Sequence, residues 1–303
     1  MLIHRLVVLG ALLAPAVVLA QTPAILPVFA LQRLGADTSG LGSLVVGTGR
    51  VLEPGQLRVS LQAHYEHLPL NFVRSWDPAV TTLGLVENKV SGQLGAAVGV
   101  LPWLQVGAHL AYILDQRGNA FMGLRPPEGG GLESAWVSAR VAPWRMNDGA
   151  PLNLAVELTA ALPVGQERLL GREDYALLPR LQAGVQGEGY QVGGELGVLV
   201  RPRHDLSALT GRPQDVLGSE VRLAAAVTSR GPNKTSTRPE VSFLLNLPVQ
   251  GGRPSAEVLV GVRKHAWPGL DLFFLGGPGV GTAIDMPTLR VIAGAAFFSS
   301  TAD

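Results

Sequence analysis

Residues 90–114 read VSGQLGAAVGVLPWLQVGAHLAYIL, and this run of 25 residues contains no formal charge. Its larger apolar residues do not follow the 3.6-residue period of a helix. They fall mainly at every second position up to Val100 and again from Leu104, with small or polar residues between them. Because successive side chains of a strand point to opposite faces, the pattern predicts two strands joined by a tight turn at Leu101 and Pro102.

The same period of two recurs along the rest of the chain. We predict twelve strands, at about residues 57–67, 88–100, 103–114, 132–142, 152–162, 177–187, 190–200, 218–228, 239–247, 256–264, 270–276 and 288–298. Most of them have about the length that a tilted strand needs to cross a bilayer. The predicted fold class is therefore all-β: an antiparallel transmembrane β-barrel of outer-membrane type, with about 12 strands in a range of 10–14.

The connections between the first eight strands alternate in length. The long ones are 68–87, 115–131, 163–176 and 201–217, and the short ones are 101–102, 143–151 and 188–189. Long outer loops and short periplasmic turns are typical of outer-membrane barrels. With an even number of strands, we expect both termini of the chain on the periplasmic side.

A soluble β-sandwich or barrel exported to the periplasm would also alternate. Two features favour the membrane. The apolar face carries almost no charge, with Glu133 only at the end of a strand, and the other face is polar rather than filled with large apolar side chains. A soluble barrel would have these two faces reversed. A β-chain with an apolar exterior has to close on itself, because open sheet edges do not occur in lipid.

Composition narrows the classes of function. The 303 residues include 24 Lys+Arg and 23 Asp+Glu, and 47% are hydrophobic. High apolar content with a net charge of +1 excludes a disordered chain, and the lack of a basic excess argues against binding to nucleic acid. The chain contains no Cys, which excludes disulfides, thiol catalysis and Cys-ligated zinc.

Residues 1–20 have the pattern of a secretory signal peptide. A charged start precedes the apolar stretch 6–19, which is too short for a membrane-spanning helix, and small residues end at Ala20. We therefore expect cleavage near Ala20 and a location in the outer membrane of a Gram-negative bacterium, in contact with its lipid. Residues 21–55 are expected to form a periplasmic N-terminal segment or a plug in the lumen, and residues 56–303 the barrel.

If the apolar residues face lipid, the side chains of opposite parity line the lumen. The candidates are six Arg and six Glu: Arg58, Glu66, Arg140, Glu157, Arg180, Glu195, Glu220, Arg222, Glu240, Glu257, Arg263 and Arg290. A ring of one sign would indicate ion selection. The balance of signs instead predicts ion pairs across the lumen that narrow or close it.

No catalytic residue, cofactor or metal site is predicted. His64 and His67 are three residues apart, so they lie on opposite faces of a strand, which does not suit a shared metal ion.

Several short stretches carry a resemblance to known outer-membrane proteins. They are FALQRL at 29–34, GSLVVGTG at 42–49, LRVSL at 57–61, HYEHLPL at 64–70, GLE at 131–133, ALPVG at 161–165, GPG at 277–279 and PTLRV at 287–291. Together they resemble the N-terminal β-barrel of myxobacterial outer-membrane OmpA-family proteins. The LPVG element is also similar to the outer-membrane transporters of phenol meta-pathway type.

This resemblance extends over nearly the whole chain after residue 20 and implies an outer-membrane barrel. In the OmpA-like family a periplasmic peptidoglycan-binding domain usually follows the barrel. The sequence ends at Asp303, so we do not expect it to supply cell-wall anchoring.

Three functions compete for such a chain. The first is a porin-like channel for small solutes, which predicts an open lumen. The second is a closed structural or interaction barrel that presents extracellular loops to envelope proteins, in an envelope or motility assembly. Its candidate loop contacts are Phe72, Trp76, Phe121 and Met122. The third, a barrel hydrolase, needs a Ser–His pair on one outward strand edge, which the sequence does not show, so we do not expect an enzyme.

Overall fold

Twelve strands close into an antiparallel barrel in the computed structural model, which describes residues 26–31, 34–73, 83–121, 123–229 and 237–299. The predicted signal peptide lies outside these ranges. Within them, no helix is long and apolar enough to cross a membrane.

Each barrel strand pairs with the next one along the chain. The strands are β1 (Leu57–Val73), β2 (Leu83–Leu101), β3 (Leu104–Arg117), β4 (Gly131–Trp144), β5 (Asn153–Leu162), β6 (Leu177–Gln186), β7 (Tyr190–Leu199), β10 (Glu220–Ser229), β11 (Thr237–Pro248), β12 (Ser255–Trp267), β13 (Leu270–Gly281) and β14 (Leu289–Phe298). β1 pairs with β14 and closes the barrel. Between β7 and β10 the chain forms a short ribbon of β8 (His204–Asp205) and β9 (Val216–Leu217), with a one-turn helix α1 (Ser207–Thr210).

All twelve predicted strands are present, so the predicted fold class is confirmed. The ends of some strands differ. The alternation predicts that β1 ends at residue 67, but the strand continues past Leu68. Leu68 has a φ of 52°, and the register with β2 shifts at this point, so the alternation of side chains is interrupted. β13 continues beyond 276, because Gly277 and Pro278 stay paired with β14 although they carry no strand pattern.

The two faces of the barrel wall have opposite chemistry. Large apolar side chains are exposed on the outside, as at Leu94, Val156 and Val260, which are 52%, 52% and 55% exposed. Their sequence neighbours of the other parity, such as Gln93 and Glu157, are buried inside. An apolar exterior around a polar interior is the arrangement that a bilayer stabilises and that water does not.

The two ends of the barrel differ in their connections. At the end where β1 begins and β14 finishes, which we call the terminal end, the described connections are 102–103, 145–152, 187–189 and 268–269. At the opposite end, the loop end, lie the mostly longer connections 118–130, 163–176, 200–219, 249–254 and 282–288. Residues 74–82 and 230–236, which complete the set, are outside the described ranges.

Candidate functional site in the barrel lumen

The structure places all twelve predicted lumen residues on barrel strands, with their side chains turned away from the apolar exterior. Glu195 and Arg222 are half-buried, and the other ten are buried. They do not form one ring. Six of them form two networks on different parts of the wall. Arg222 pairs with Glu220 at 2.6 Å and Arg263 with Glu240 at 3.8 Å, and several of the twelve contact the chain that precedes β1.

The first network is a ladder of alternating charge across β4, β5 and β6. Arg140 is the register partner of Glu157, which is in turn the register partner of Arg180. Arg140 Nη2 lies 2.5 Å from Glu157 Oε2, and Arg180 Nη2 lies 3.0 Å from Glu157 Oε1. Gln182 Nε2 donates to Glu157 Oε2 at 2.8 Å, so the carboxylate is fully paired despite its burial.

The second network joins β1, β12 and β14. Arg290 lies between Glu66, its register partner on β1, and Glu257, two strands away on β12. Arg290 Nε donates to Glu257 Oε2 at 2.7 Å, and its Nη1 forms an ion pair with Glu66. Gly277 on β13 is the other register partner of Arg290, and a Cβ there would overlap Val258 O, so glycine allows the backbone of β12 to come this close.

A buried ion pair between β2 and β4 was missed by the sequence analysis. Lys89 on β2 bonds to Glu133 on β4, with 2.5 Å between Nζ and Oε1, and both side chains are almost completely buried. The expectation that Glu133 lies on the apolar face at a strand end is wrong. A register shift between Leu110 and Tyr112 on the partner strand β3 breaks the alternation, so Glu133 turns inward together with Ser134.

The chain before β1 lies inside the barrel. We call residues 26–31 and 34–56 the N-terminal segment. Inward-facing carboxylates of the wall accept hydrogen bonds from its backbone: Glu240 from Leu44 N at 3.0 Å, and Glu195 from Gly47 N at 2.9 Å. Ser43 Oγ also donates to Glu240 Oε1, at 2.5 Å.

Arginines of the wall hold the carbonyl groups of the same segment. Arg58 Nη1 donates to Thr38 O at 3.0 Å, and Arg263 Nη1 donates to Gly40 O at 2.5 Å. Arg140 donates to Arg50 O at 2.9 Å and pairs with Asp37, so it joins the charge ladder to the segment. The wall thus binds both backbone donors and backbone acceptors of the segment.

Apolar contacts complete this attachment. Leu44, Val45 and Val46 are buried in one cluster with inward side chains of β12, β13 and β14, which include Leu259, Phe273, Leu275 and Ile292. One side of the lumen is therefore an apolar surface that the segment covers.

Two small cavities and one larger vestibule lie beside the described part of the segment. A cavity of about 30 Å³ lies between Leu34, Trp136 and Arg180, and another of about 30 Å³ lies between Val45, Arg222 and Leu244. Each has room for about two water molecules. At the terminal end, a vestibule of about 650 Å³ opens below Gly40 and Arg263.

Solved structures share this architecture. An outer-membrane channel from Pseudomonas putida F1 matches with a TM-score of 0.56 and 12% identity, over 82% of this chain and 97% of that chain. This is an outer-membrane barrel fold. The NanC porin matches with a TM-score of 0.51 and 8% identity, over 80% of this chain and 100% of that chain. No family model matches the chain, and no curated protein matches its sequence.

The predicted loop contacts are only partly described. Trp76, Met122 and the side chain of Phe72 lie outside the described residues. Phe121 is half-buried and packs against an apolar cluster at the loop end, so much of its ring contacts other residues of this chain.

In the described part of the chain, hydrogen bonds of histidine rings go to Gln62, Asn88 and Asp271, and none goes to a serine. His64 faces Gln62 inside the barrel, whereas His67 bonds to Asn88.

Proposed function

We propose that this protein is an outer-membrane channel for small solutes, and that its own N-terminal segment closes the lumen in this conformation. The observation that carries the proposal is the way in which the lumen is filled. A twelve-stranded barrel is wider than one that wall side chains can fill. The remaining space is taken by a tethered peptide, held largely through hydrogen bonds that can be exchanged for water.

Removal of the segment would leave a polar channel without a dominant sign. The groups that bind the segment include Arg58, Arg140 and Arg263 as well as Glu195 and Glu240. Because these three arginines and two glutamates nearly balance, we expect weak ion selectivity. Polar solutes that exchange hydrogen bonds with both carboxylates and guanidinium groups fit this lining.

A disulfide lock tests whether the segment is the gate. Ser43 on the segment and Ser242 on β11 have their Oγ atoms 3.5 Å apart, so the sulfur atoms of cysteines at these positions would lie near each other. The natural chain contains no Cys, so a double variant Ser43→Cys with Ser242→Cys has a single possible bridge. We expect channel openings in a planar bilayer when this variant is reduced, and their loss when it is oxidised.

The single variants Ser43→Cys and Ser242→Cys are the matched controls, because they undergo the same oxidation without forming the bridge. Equal conductance of the oxidised and the reduced double variant, with the bridge verified, would contradict a gating role of the segment.

The filled lumen also supports the second function, a closed barrel that presents loops to envelope proteins. This alternative predicts silence in the bilayer for the reduced double variant and for the wild-type chain, although both are folded and inserted. Openings of uniform size in the wild-type chain would exclude it.

We also propose that residues 1–20 are removed on export and that the chain lies in the outer membrane. The apolar exterior and the barrel fold support this location. Membership in the OmpA-like family of myxobacteria remains a prediction from the short stretches that resemble it.

A further inference from the structure

The N-terminal segment runs through the barrel from the loop end to the terminal end. A segment that began in the periplasm would have its first residues at the terminal end instead. Its first described residues lie at the loop end. Leu31 N donates to Leu170 O at 2.9 Å, and Ala30 forms a β-bridge with Gly171, both in the connection 163–176.

Side chains fix this attachment at the loop end. Phe29 is completely buried in an apolar cluster that also contains Leu31. The other members come from the loop-end parts of β1 and β2 and from four loop-end connections: Leu70, Leu85, Val86, Leu124, Leu170, Leu206, Leu217 and Ile284. The ring of Phe29 lies 5.6 Å from that of His204. The buried carboxylate of Glu173 accepts a hydrogen bond from Ala30 N at 3.3 Å.

The last residues of the segment lie at the terminal end. Leu52 N donates to Gln105 Oε1 at 3.0 Å, near the start of β3. Gly55 N donates to Gly99 O at 2.8 Å, beside the turn between β2 and β3. The chain then enters β1 at Leu57.

The distance between these two attachments is within the reach of the chain. The 21 residue steps from Leu31 to Leu52 could extend over about 70 Å at ~3.3 Å per residue, whereas a bilayer core is about 30 Å thick. The excess is taken up by a compact turn in which Asp37 N donates to Leu44 O at 2.9 Å.

We infer that the N terminus of the exported chain lies on the loop side of the membrane, at the cell surface. The connection to Leu26 is made at the loop end. A return to the terminal end would have to pass through a lumen that the segment itself fills. This inference rests on the outer-membrane location proposed above.

Single cysteines test the sidedness in the full chain, since the natural sequence contains none. Thr22→Cys reports on the N terminus just after the predicted cleavage site. Ala208→Cys, at an exposed position of α1, reports on the loop end, and Glu188→Cys, in the exposed turn between β6 and β7, reports on the terminal end. Each variant is treated with a membrane-impermeant maleimide on intact cells and again after the outer membrane is permeabilised.

We expect Thr22→Cys and Ala208→Cys to reach on intact cells the labelling that they show after permeabilisation, and Glu188→Cys to be labelled only after permeabilisation. Protection of Thr22→Cys on intact cells that label Ala208→Cys would overturn the inference and leave the barrel's location intact. Protection of Ala208→Cys on intact cells would overturn the proposed location, and with it this inference.

Discussion

Lys89 and Glu133 form a buried ion pair across an intervening strand: Nζ on β2 lies 2.5 Å from Oε1 on β4, and β3 runs between them. Loss of one member of such a pair leaves an uncompensated buried charge, which destabilises a protein by about 3–5 kcal/mol. We expect Lys89→Met to lower the free energy of unfolding by an amount of this order, as measured by urea titration of the barrel in lipid vesicles.

The double variant Lys89→Met with Glu133→Leu should recover much of this loss, because both charges are then removed together. Arg117→Ala is the surface control, since its partner Asp115 is exposed and such pairs contribute about 0–1 kcal/mol. A double variant that is less stable than Lys89→Met would contradict our account of the pair.

Arg140 links the charge ladder to the N-terminal segment, so its removal should loosen the gate. Arg140→Met leaves Asp37 without its ion partner and frees the carbonyl of Arg50. We expect more frequent openings in a planar bilayer, and an intermediate effect for Arg140→Lys, because an ammonium group cannot reproduce the fork of a guanidinium. Arg117→Ala is the control, because its exposed side chain pairs with Asp115 on the same strand and not with the segment. If Arg140→Met opened no more often than the control variant, Arg140 would not hold the gate.

Gly99 allows the N-terminal segment to approach the wall. A Cβ at this position would lie 2.5 Å from Leu52 O and closer still to Glu53 O. Gly99→Ala should therefore push residues 52–53 away from β2, at a cost of about 1–3 kcal/mol for overpacking. We expect a lower midpoint of thermal unfolding and more frequent channel openings.

Gly92→Ala on the same strand is the matched control, because the nearest atom to its Cβ would be 3.9 Å away. A similar effect of both substitutions would show that the strand, rather than its contact with the segment, is responsible.

The apolar exterior gives a test of the membrane location. Val260, midway along β12, is 55% exposed, and Val249, in the loop-end connection after β11, is 62% exposed. Arginine facing lipid near the bilayer midplane costs about 2–4 kcal/mol, and near the interface about 0–1 kcal/mol. We expect Val260→Arg to destabilise the barrel in vesicles by the larger amount and Val249→Arg by the smaller. Equal effects at the two positions would argue that Val260 does not face lipid.

The strands were predictable because side chains of one parity meet lipid and those of the other meet the lumen, so the pattern persists wherever the pleat is regular. Prediction from this pattern was wrong where the backbone is irregular. The shift opposite Tyr112 turned Glu133 inward, and the left-handed Leu68 hid the upper part of β1. The ladder from Arg140 through Glu157 to Arg180 needed the register of three strands, which alternation alone does not supply.

The course of the N-terminal segment has no comparable signal. Its hydrogen bonds go from its backbone to side chains far away in the sequence, as from Leu44 to Glu240 and from Gly47 to Glu195. Neither a period nor a spacing records such contacts. The same holds for Phe29, whose partners come from six separate parts of the chain.

Side chains of the wall form hydrogen bonds with backbone atoms of the segment at Thr38, Gly40, Leu44 and Gly47. These hydrogen bonds do not depend on which side chains the segment carries. The barrel can thus be regarded as a peptide receptor supplied with a covalently tethered ligand. A tether of this kind gives its ligand an effective concentration in the millimolar range. A free peptide of the same length would have to approach that concentration to displace it, and a grafted sequence of similar size could occupy the same groove.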